Sequence, residues 1–221
     1  MPRVSVIIPT FNEEKNIAKA IASLKSQSFK DLEIIIVNNG STDSTLTFCS
    51  EADKVLQFSD SHNRGSVRNY GANNSDSEYL AFLDGDSSLS VNGIKNAVKY
   101  MTEGFVGGRC IIRAPEDIFA AKIQTSILNN WARFIAPLYT PYVFCSREIY
   151  DKTDGWSDVI ELGDELFFQR KLNQSGKLFF DKDSFVETSP RRYQKEGYLK
   201  TTLLGMLGYY GLKMNWKSVR D

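Results

Sequence analysis

Histidine is almost missing from this 221-residue chain, where His62 stands alone. A two-histidine zinc-peptidase motif is therefore impossible. A serine triad would have to run through His62, and no G-x-S-x-G elbow supplies its serine. Acid–base chemistry near neutral pH falls to a carboxylate. Cysteine is scarce as well. Cys49, Cys110 and Cys145 are odd in number and far apart, with no C-x-x-C pair. That pattern argues against a disulfide framework or a structural zinc site and for buried, reduced thiols. Net charge is also lacking, with 27 Lys+Arg against 27 Asp+Glu, so the basic excess of a nucleic-acid binder is absent overall and no such partner is expected. No apolar stretch reaches about 18 residues, and Val4–Ile8 is too short for a membrane span or a signal-peptide core. The expectation is a soluble, cytoplasmic protein.

What is present alternates. Val4–Ile8, Leu32–Val37 and Tyr79–Leu83 read as apolar, buried strands and Lys54–Phe58 as a weaker one. Between them lie helical patterns: Ile17, Ile21 and Leu24 on one face, a short helix capped by Thr42 or Asp43, and Ser66–Asn73. Further on, Val91–Thr102 reads as a helix with Ser90 as its cap, Phe105–Arg113 as a strand, Asp117–Phe134 as helical and Tyr142–Ser146 as a short strand. Asp164–Ser175 has helical spacing and Gly176 as its stop. Strand–helix alternation predicts an α/β fold, a mostly parallel central sheet covered by helices on both faces. With no repeat, linker or low-complexity segment, residues 1–221 read as a single domain.

Ligands of such sheets sit beyond the carboxyl ends of the strands. Three polar clusters lie there and should converge: Thr10–Glu13, Asn38–Asp43 and Asp84–Ser87. Asp84-Gly85-Asp86 sets two carboxylates two positions apart after an apolar strand. That is a compact oxygen-ligand pair for Mg2+ or Mn2+, which share carboxylates with substrate phosphates. A plain polar turn would look the same in isolation.

The three clusters do not stand in isolation. Val4-Ser5-Val6-Ile7-Ile8-Pro9-Thr10-Phe11-Asn12-Glu13-Glu14, Val37-Asn38-Asn39-Gly40-Ser41-Thr42-Asp43 and Phe82-Leu83-Asp84-Gly85-Asp86 occur in order, with Arg64-Gly65-Ser66-Val67-Arg68-Asn69-Tyr70-Gly71-Ala72 between the last two. Tyr150–Trp156, Gly163-Asp164-Glu165-Leu166 and Thr188-Ser189-Pro190-Arg191-Arg192-Tyr193 follow. This set resembles the inverting glycosyltransferases of family 2, in their small soluble members, whose catalytic domain has the GT-A fold. The resemblance implies a nucleotide-binding half over about residues 1–100 and an acceptor half over about 101–221. It implies that Pro9, Thr10 and Phe11 line a nucleoside pocket, that Glu13 reaches the ribose, and that Arg68 and Asp84 lie near the nucleotide. Asp86, with Asp84, would hold the metal, and Arg192 beside Arg191 would neutralise the departing diphosphate. Asn39 stands where the family has an aspartate that reads a uracil edge. An amide both donates and accepts where a carboxylate only accepts, so a uridine donor is expected while the identity of the base stays open. Asn38 departs from the pattern too. The family's Glu-Asp pair is replaced by Asp164-Glu165, and either can be the base that activates an acceptor hydroxyl, on a saccharide or on a lipid-linked carrier.

Two other readings fit parts of the chain: a nucleotide-sugar-binding protein without catalysis, and a sugar nucleotidyltransferase. Against the second, Pro9–Glu13 has neither the glycines nor the basic residue of such an enzyme's first loop. The apolar stretch Tyr198–Leu212, with lysines nearby, reads as a core or dimerisation helix or as one that lies on a membrane surface.

Overall fold

A computed structural model describes residues 2–59, 63–113, 121–123, 125–126, 129–130, 140–159, 164–189 and 191. His62, Arg192 and the stretch Tyr198–Leu212 lie outside them, as does most of the expected Asp117–Phe134 helix. The elements are β1 (Val4–Thr10), α1 (Ile17–Lys25), β2 (Leu32–Asn38), a 3-10 helix (Ser44–Cys49), β3 (Lys54–Gln57), α2 (Arg64–Asn73), β4 (Tyr79–Leu83) and β5 (Ser87–Leu89), followed by α3 (Gly93–Thr102), β6 (Gly107–Arg113), β7 (Tyr142–Ser146), α4 (Arg147–Lys152), α5 (Asp164–Ser175) and β8 (Leu178–Thr188).

The strands form one eight-stranded sheet in the order β3-β2-β1-β4-β7-β6-β8-β5. β1 to β4 are mutually parallel. β7 runs antiparallel to both β4 and β6, and β8 is parallel to β6. Two reversals therefore restore the direction, and the carboxyl ends of β1, β2, β3, β4, β6 and β8 emerge along one rim. Helices cover both faces. Ile17, Ile21 and Leu24 of α1 pack in one cluster with Val6, Ile8 and Ile36, and Ile94 and Val98 of α3 extend that cluster over β6, β7 and β8, beside Cys110, Phe144 and Phe179. On the other face Val67 of α2 and Phe168 and Leu172 of α5 pack on Ile7, Ile35 and Phe82. Strands enclosed on both faces need continuous apolar runs rather than alternation, which is why Val4–Ile8 and Leu32–Val37 read so plainly.

The structure differs from the sequence expectation at three points. The helix expected from Val91 with Ser90 as cap begins at Gly93. Ser90 Oγ instead accepts from the Phe185 amide, and the helix start is served from another element, the Ile94 amide donating to the buried Gln27 side chain. The helix expected from Ser66 begins two residues earlier, because Asn63 caps it by accepting from the Gly65 and Ser66 amides. β5, α4 and β8 were not expected at all. All three cysteines are free and buried, as expected. Among the described residues no helix is long and apolar enough to cross a membrane.

Candidate active site

The first two polar clusters are stitched to each other. Asn12 adopts the left-handed conformation (φ 53°), which Asn tolerates better than most residues. In that turn its amide donates to Ser41 Oγ and its side-chain carbonyl accepts from the Thr42 amide, at 3.0 and 2.9 Å. The Glu13 amide donates to Thr45 Oγ1 at 2.7 Å. The third cluster is pressed against the first. A Cβ on Gly85 would lie 3.2 Å from both the Pro9 carbonyl oxygen and Thr10 Cγ2, so the Asp84-Gly85-Asp86 turn packs closely on the end of β1. The rim of the sheet thereby carries a cleft of about 260 Å³.

Pro9, Thr10, Phe11, Glu13, Asn39, Asp84 and Asp86, all expected from the sequence, line this cleft. Phe11 is partly exposed there. Asn38 does not line it: buried, it donates to the Gln57 side chain and accepts from the Ser41 amide. Its departure from the family pattern is a matter of loop structure. Arg191 reaches Glu13 Oε1 at 2.7 Å across the mouth of the cleft. Glu13 also accepts from the Asn16 side chain.

Behind the cleft lies a buried charge cluster. Arg68 is 1% exposed and stacks over Trp156, 4.3 Å from the ring centroid. Its Nη1 donates to Asp164 Oδ2 at 2.5 Å and its Nη2 to Asp84 Oδ1 at 2.8 Å, so it ties the first residue of α5 to the turn after β4. Arg64, one helical turn earlier, places Nη2 3.4 Å from both Asp164 Oδ1 and Glu165 Oε1. The sequence reading overlooked it. The start of α2 is held tightly here: a Cβ on Gly65 would sit 2.0 Å from the Ser157 carbonyl oxygen. Glu165 Oε1 is fully buried and, although ion-paired, accepts no hydrogen bond. Neither carboxylate of the pair lines the cleft, and Arg64 stands between them and it.

The charges at the site are strained against each other. Burial first, then the neighbouring charges of Asp84 and Glu13, push the Asp86 carboxyl up to about 7. Asp164 is likewise raised to about 7, by burial and by the charge of Glu165. Burial opposes charge on Glu165 too, but Arg64 and Arg68 outweigh it and hold it ionised, at about 2. Both raised groups bind protons more tightly folded than unfolded. Their stabilisation is present below about pH 4 and is lost as pH rises through about 7, whereas that of Glu165 is lost only as pH falls from about 4.5 toward 2. The melting temperature of the metal-free protein is therefore expected to fall between pH 5 and pH 8, with roughly 2–4 °C lost per kcal/mol for a chain of this size. Asp86→Asn should flatten that slope in a calorimetric pH series.

Comparison with known proteins gives the family and the fold. Residues 5–175 match the model of glycosyl transferase family 2. The chain is 34% identical over 121 residues to the GalNAc(5)-diNAcBac-PP-undecaprenol beta-1,3-glucosyltransferase of Campylobacter jejuni, a match covering 51% of this chain and 39% of that protein. It is 33% identical over 140 residues to glycosyltransferase AglE of Haloferax volcanii, covering 58% and 46%. The match thus spans less than half the length of these relatives. Residues 1–349 of S. aureus TarS in complex with UDP superpose with a TM-score of 0.67 at 18% identity, covering 97% of this chain and 67% of that one. The mannosyltransferase PcManGT of Pyrobaculum calidifontis, in complex with GDP-Man and Mn2+, gives 0.68 at 16% identity, covering 94% and 64%. At such identities the likeness is one of fold, the GT-A fold.

Proposed function

This chain belongs to glycosyl transferase family 2, and from that premise we propose that it is an inverting glycosyltransferase that moves a sugar from a uridine diphosphate donor to an acceptor hydroxyl. One observation carries the assignment of the base. Of the two adjacent carboxylates, Asp164 is taken up by its short bond to Arg68, whereas Glu165 Oε1 is buried and ionised and accepts no hydrogen bond. That unoccupied lone pair is where a hydroxyl proton can go, and the proton affinity of Glu165 has to rise from about 2 toward the working pH as the site fills. Glu165 is the base and Asp164 its anchor.

The donor's base would stack on Phe11 beside Pro9 and Thr10, its diphosphate lying over Asp84-Gly85-Asp86 with Arg191 at the mouth. As the acceptor oxygen forms its bond to the anomeric carbon, its proton passes to Glu165. The bond from that carbon to the diphosphate oxygen breaks on the opposite face, through an oxocarbenium-like transition state. The donor set fits Mg2+ or Mn2+. Asp84 and Asp86 are hard oxygen ligands, and a cation would offset both the burial and the neighbouring charges that raise Asp86. Among the described residues no group of three or more His, Cys, Asp or Glu side chains is placed to hold a metal, so the remaining ligands would come from the diphosphate and water. A divalent ion there supplies charge neutralisation on the leaving diphosphate.

UDP is the ligand of the TarS complex and GDP-Man that of PcManGT, so the fold accepts either base, and the preference for uridine rests on Pro9, Thr10 and Phe11. For the acceptor we propose a saccharide hydroxyl on a lipid diphosphate carrier, the substrate class in the name of the C. jejuni relative, met by peripheral contact with a membrane. Thermal protection by UDP, GDP, CDP and dTDP with Mn2+ should rank UDP first by roughly tenfold or more in affinity, a difference of about 1.4 kcal/mol. Preference for GDP or CDP retires the uridine assignment. Release of sugar from the matching nucleotide-sugar separates an enzyme from a protein that only binds the donor.

A further inference from the structure

β6 carries a charge that the donor cleft does not account for. Arg109 is 4% exposed, and neither of its terminal nitrogens has a hydrogen-bond partner. Among the described residues no ion pair includes Arg109 or Arg113, four positions further along the strand. Burial lowers the Arg109 pKa only to about 10, so the guanidinium is charged at neutral pH. A buried charge without a counter-charge is among the costlier features a fold can carry. An aromatic floor offsets part of that cost. The Arg109 guanidinium lies over the ring of Phe180 on β8, 4.9 Å from its centroid, and that of Arg113 lies over Phe185 at 3.2 Å.

The two arginines share a face of the strand. Cys110 and Ile112 belong to the core under α1 and α3, so Arg109, Ile111 and Arg113, which alternate with them, lie on the other side. Along that side exposure grows toward the carboxyl end: Arg109 is buried, Ile111 half-buried and Arg113 exposed. Phe180 and Phe185 beside them are half-buried. The carboxyl end of β6 is also the rim on which the cleft opens. Arg113 pairs in register with Glu187, whose carboxylate is engaged by Lys19 at 2.6 Å, and the next two residues, Thr188 and Ser189, line the cleft. A guanidinium held over a ring face keeps its N–H edge free, and phosphate oxygens bind that edge through paired, charge-assisted bonds.

We propose that Arg109 and Arg113 form an anion site for the acceptor: the phosphate oxygens of a lipid-diphosphate acceptor enter from the rim past Arg113 and reach Arg109 at the inner end, over Phe180. This rests on the acceptor reading given above and adds the residues that recognise the carrier's diphosphate. The Arg109 charge is unpaired only while the acceptor is absent. Donor and acceptor diphosphates then occupy separate places, the first over Asp84-Gly85-Asp86 and the second on β6. An acceptor sugar without the phosphates is the poorer substrate.

Three probes test this: farnesyl diphosphate as a short, soluble lipid diphosphate, farnesol, and inorganic pyrophosphate. Each is titrated against protein saturated with UDP and excess Mg2+, so that the donor cleft is filled. The wild type should bind both diphosphates, and farnesol at least about tenfold more weakly. Arg109→Met should weaken both diphosphates by about tenfold or more and leave UDP affinity within about twofold. Without ligand it should melt no lower than the wild type, because it removes a buried charge that has no partner. Arg109→Lys keeps the charge without the planar fork and should fall between the two, which preserves the test if Arg109→Met does not fold. Arg113→Met should give a smaller loss, since solvent screens the exposed guanidinium. Farnesyl diphosphate bound equally by wild type and the Arg109 variants overturns the proposal, and so does a wild type that binds neither diphosphate. Pyrophosphate binding that depends on Arg109, with no gain in affinity from the farnesyl chain, keeps the anion site and refutes the lipid carrier. A wild type that binds no UDP refutes the donor reading, and the dependence on Arg109 is then read without it.

Discussion

Glu165→Gln should lower turnover by about 10²–10⁴-fold, the usual worth of general-base assistance, while donor affinity stays within about twofold. The amide keeps the shape of the carboxylate and cannot take the acceptor's proton. The fold should tolerate it. Removing one negative charge leaves Asp84 and Asp164 facing Arg64 and Arg68, a balanced set. Asp164→Asn makes the informative contrast. It replaces the charged acceptor of the short bond that ties α5 to Arg68 by a neutral one, and because burial and Glu165 already disfavour the Asp164 charge, and Arg68 keeps Asp84 and Glu165, the cost is that of a weakened hydrogen bond, about 1–3 kcal/mol. Its main effect should be on melting temperature, with a milder loss of turnover. Single-turnover rates and thermal melts on both variants decide the matter. If the turnover losses are reversed, Asp164 is the base.

The second large effect is expected at Asp86. Asp86→Ala should erase the gain in UDP affinity brought by Mn2+ and leave uridine binding as it was. The loop should keep its place. The Ser189 amide bonds to the backbone carbonyl of residue 86, which alanine retains, and Gly85 stays packed against Pro9 and Thr10. The lost carboxylate is one that burial and its neighbours disfavour in the absence of a cation, so the metal-free variant should be no less stable near pH 8. UDP titrations with and without Mn2+ give the answer, and an undiminished Mn2+ effect in the variant would falsify the ligand assignment.

Much of this architecture could be read from the residues, and the reasons are physical. β4, β7 and α5 lie where their patterns place them, because buried strands and a helix with a terminal glycine leave strong local marks. β8 left none. Its apolar residues are interrupted by Asp181-Lys182-Asp183-Ser184, where its pairing with β6 shifts register, and it is held by partners some 70 residues earlier in the chain. α4 is short, and what fixes it is remote: Arg147 donates to the carbonyls of Ala72 and Ser75 at the end of α2. The cleft residues were legible because each sits beside a readable strand end. Arg64 was not, although its position four residues before Arg68 on one helix puts both on the same face, a signal that only acquires meaning once Asp164 is known to lie there. That Arg191 lines the cleft depends on backbone direction after β8, which composition does not encode.

The double reversal of direction at β7 has a practical side. With six strands delivering their carboxyl ends to one rim, the opposite rim carries contacts remote from the cleft, such as the exposed Arg3–Glu78 pair at 2.9 Å beside the start of β1. That side can be handled without disturbing the reaction. A dye or a support coupled at residue 3 or 78 would attach at the rim opposite the cleft, so an immobilised form of the protein could be screened against donor libraries from the other side.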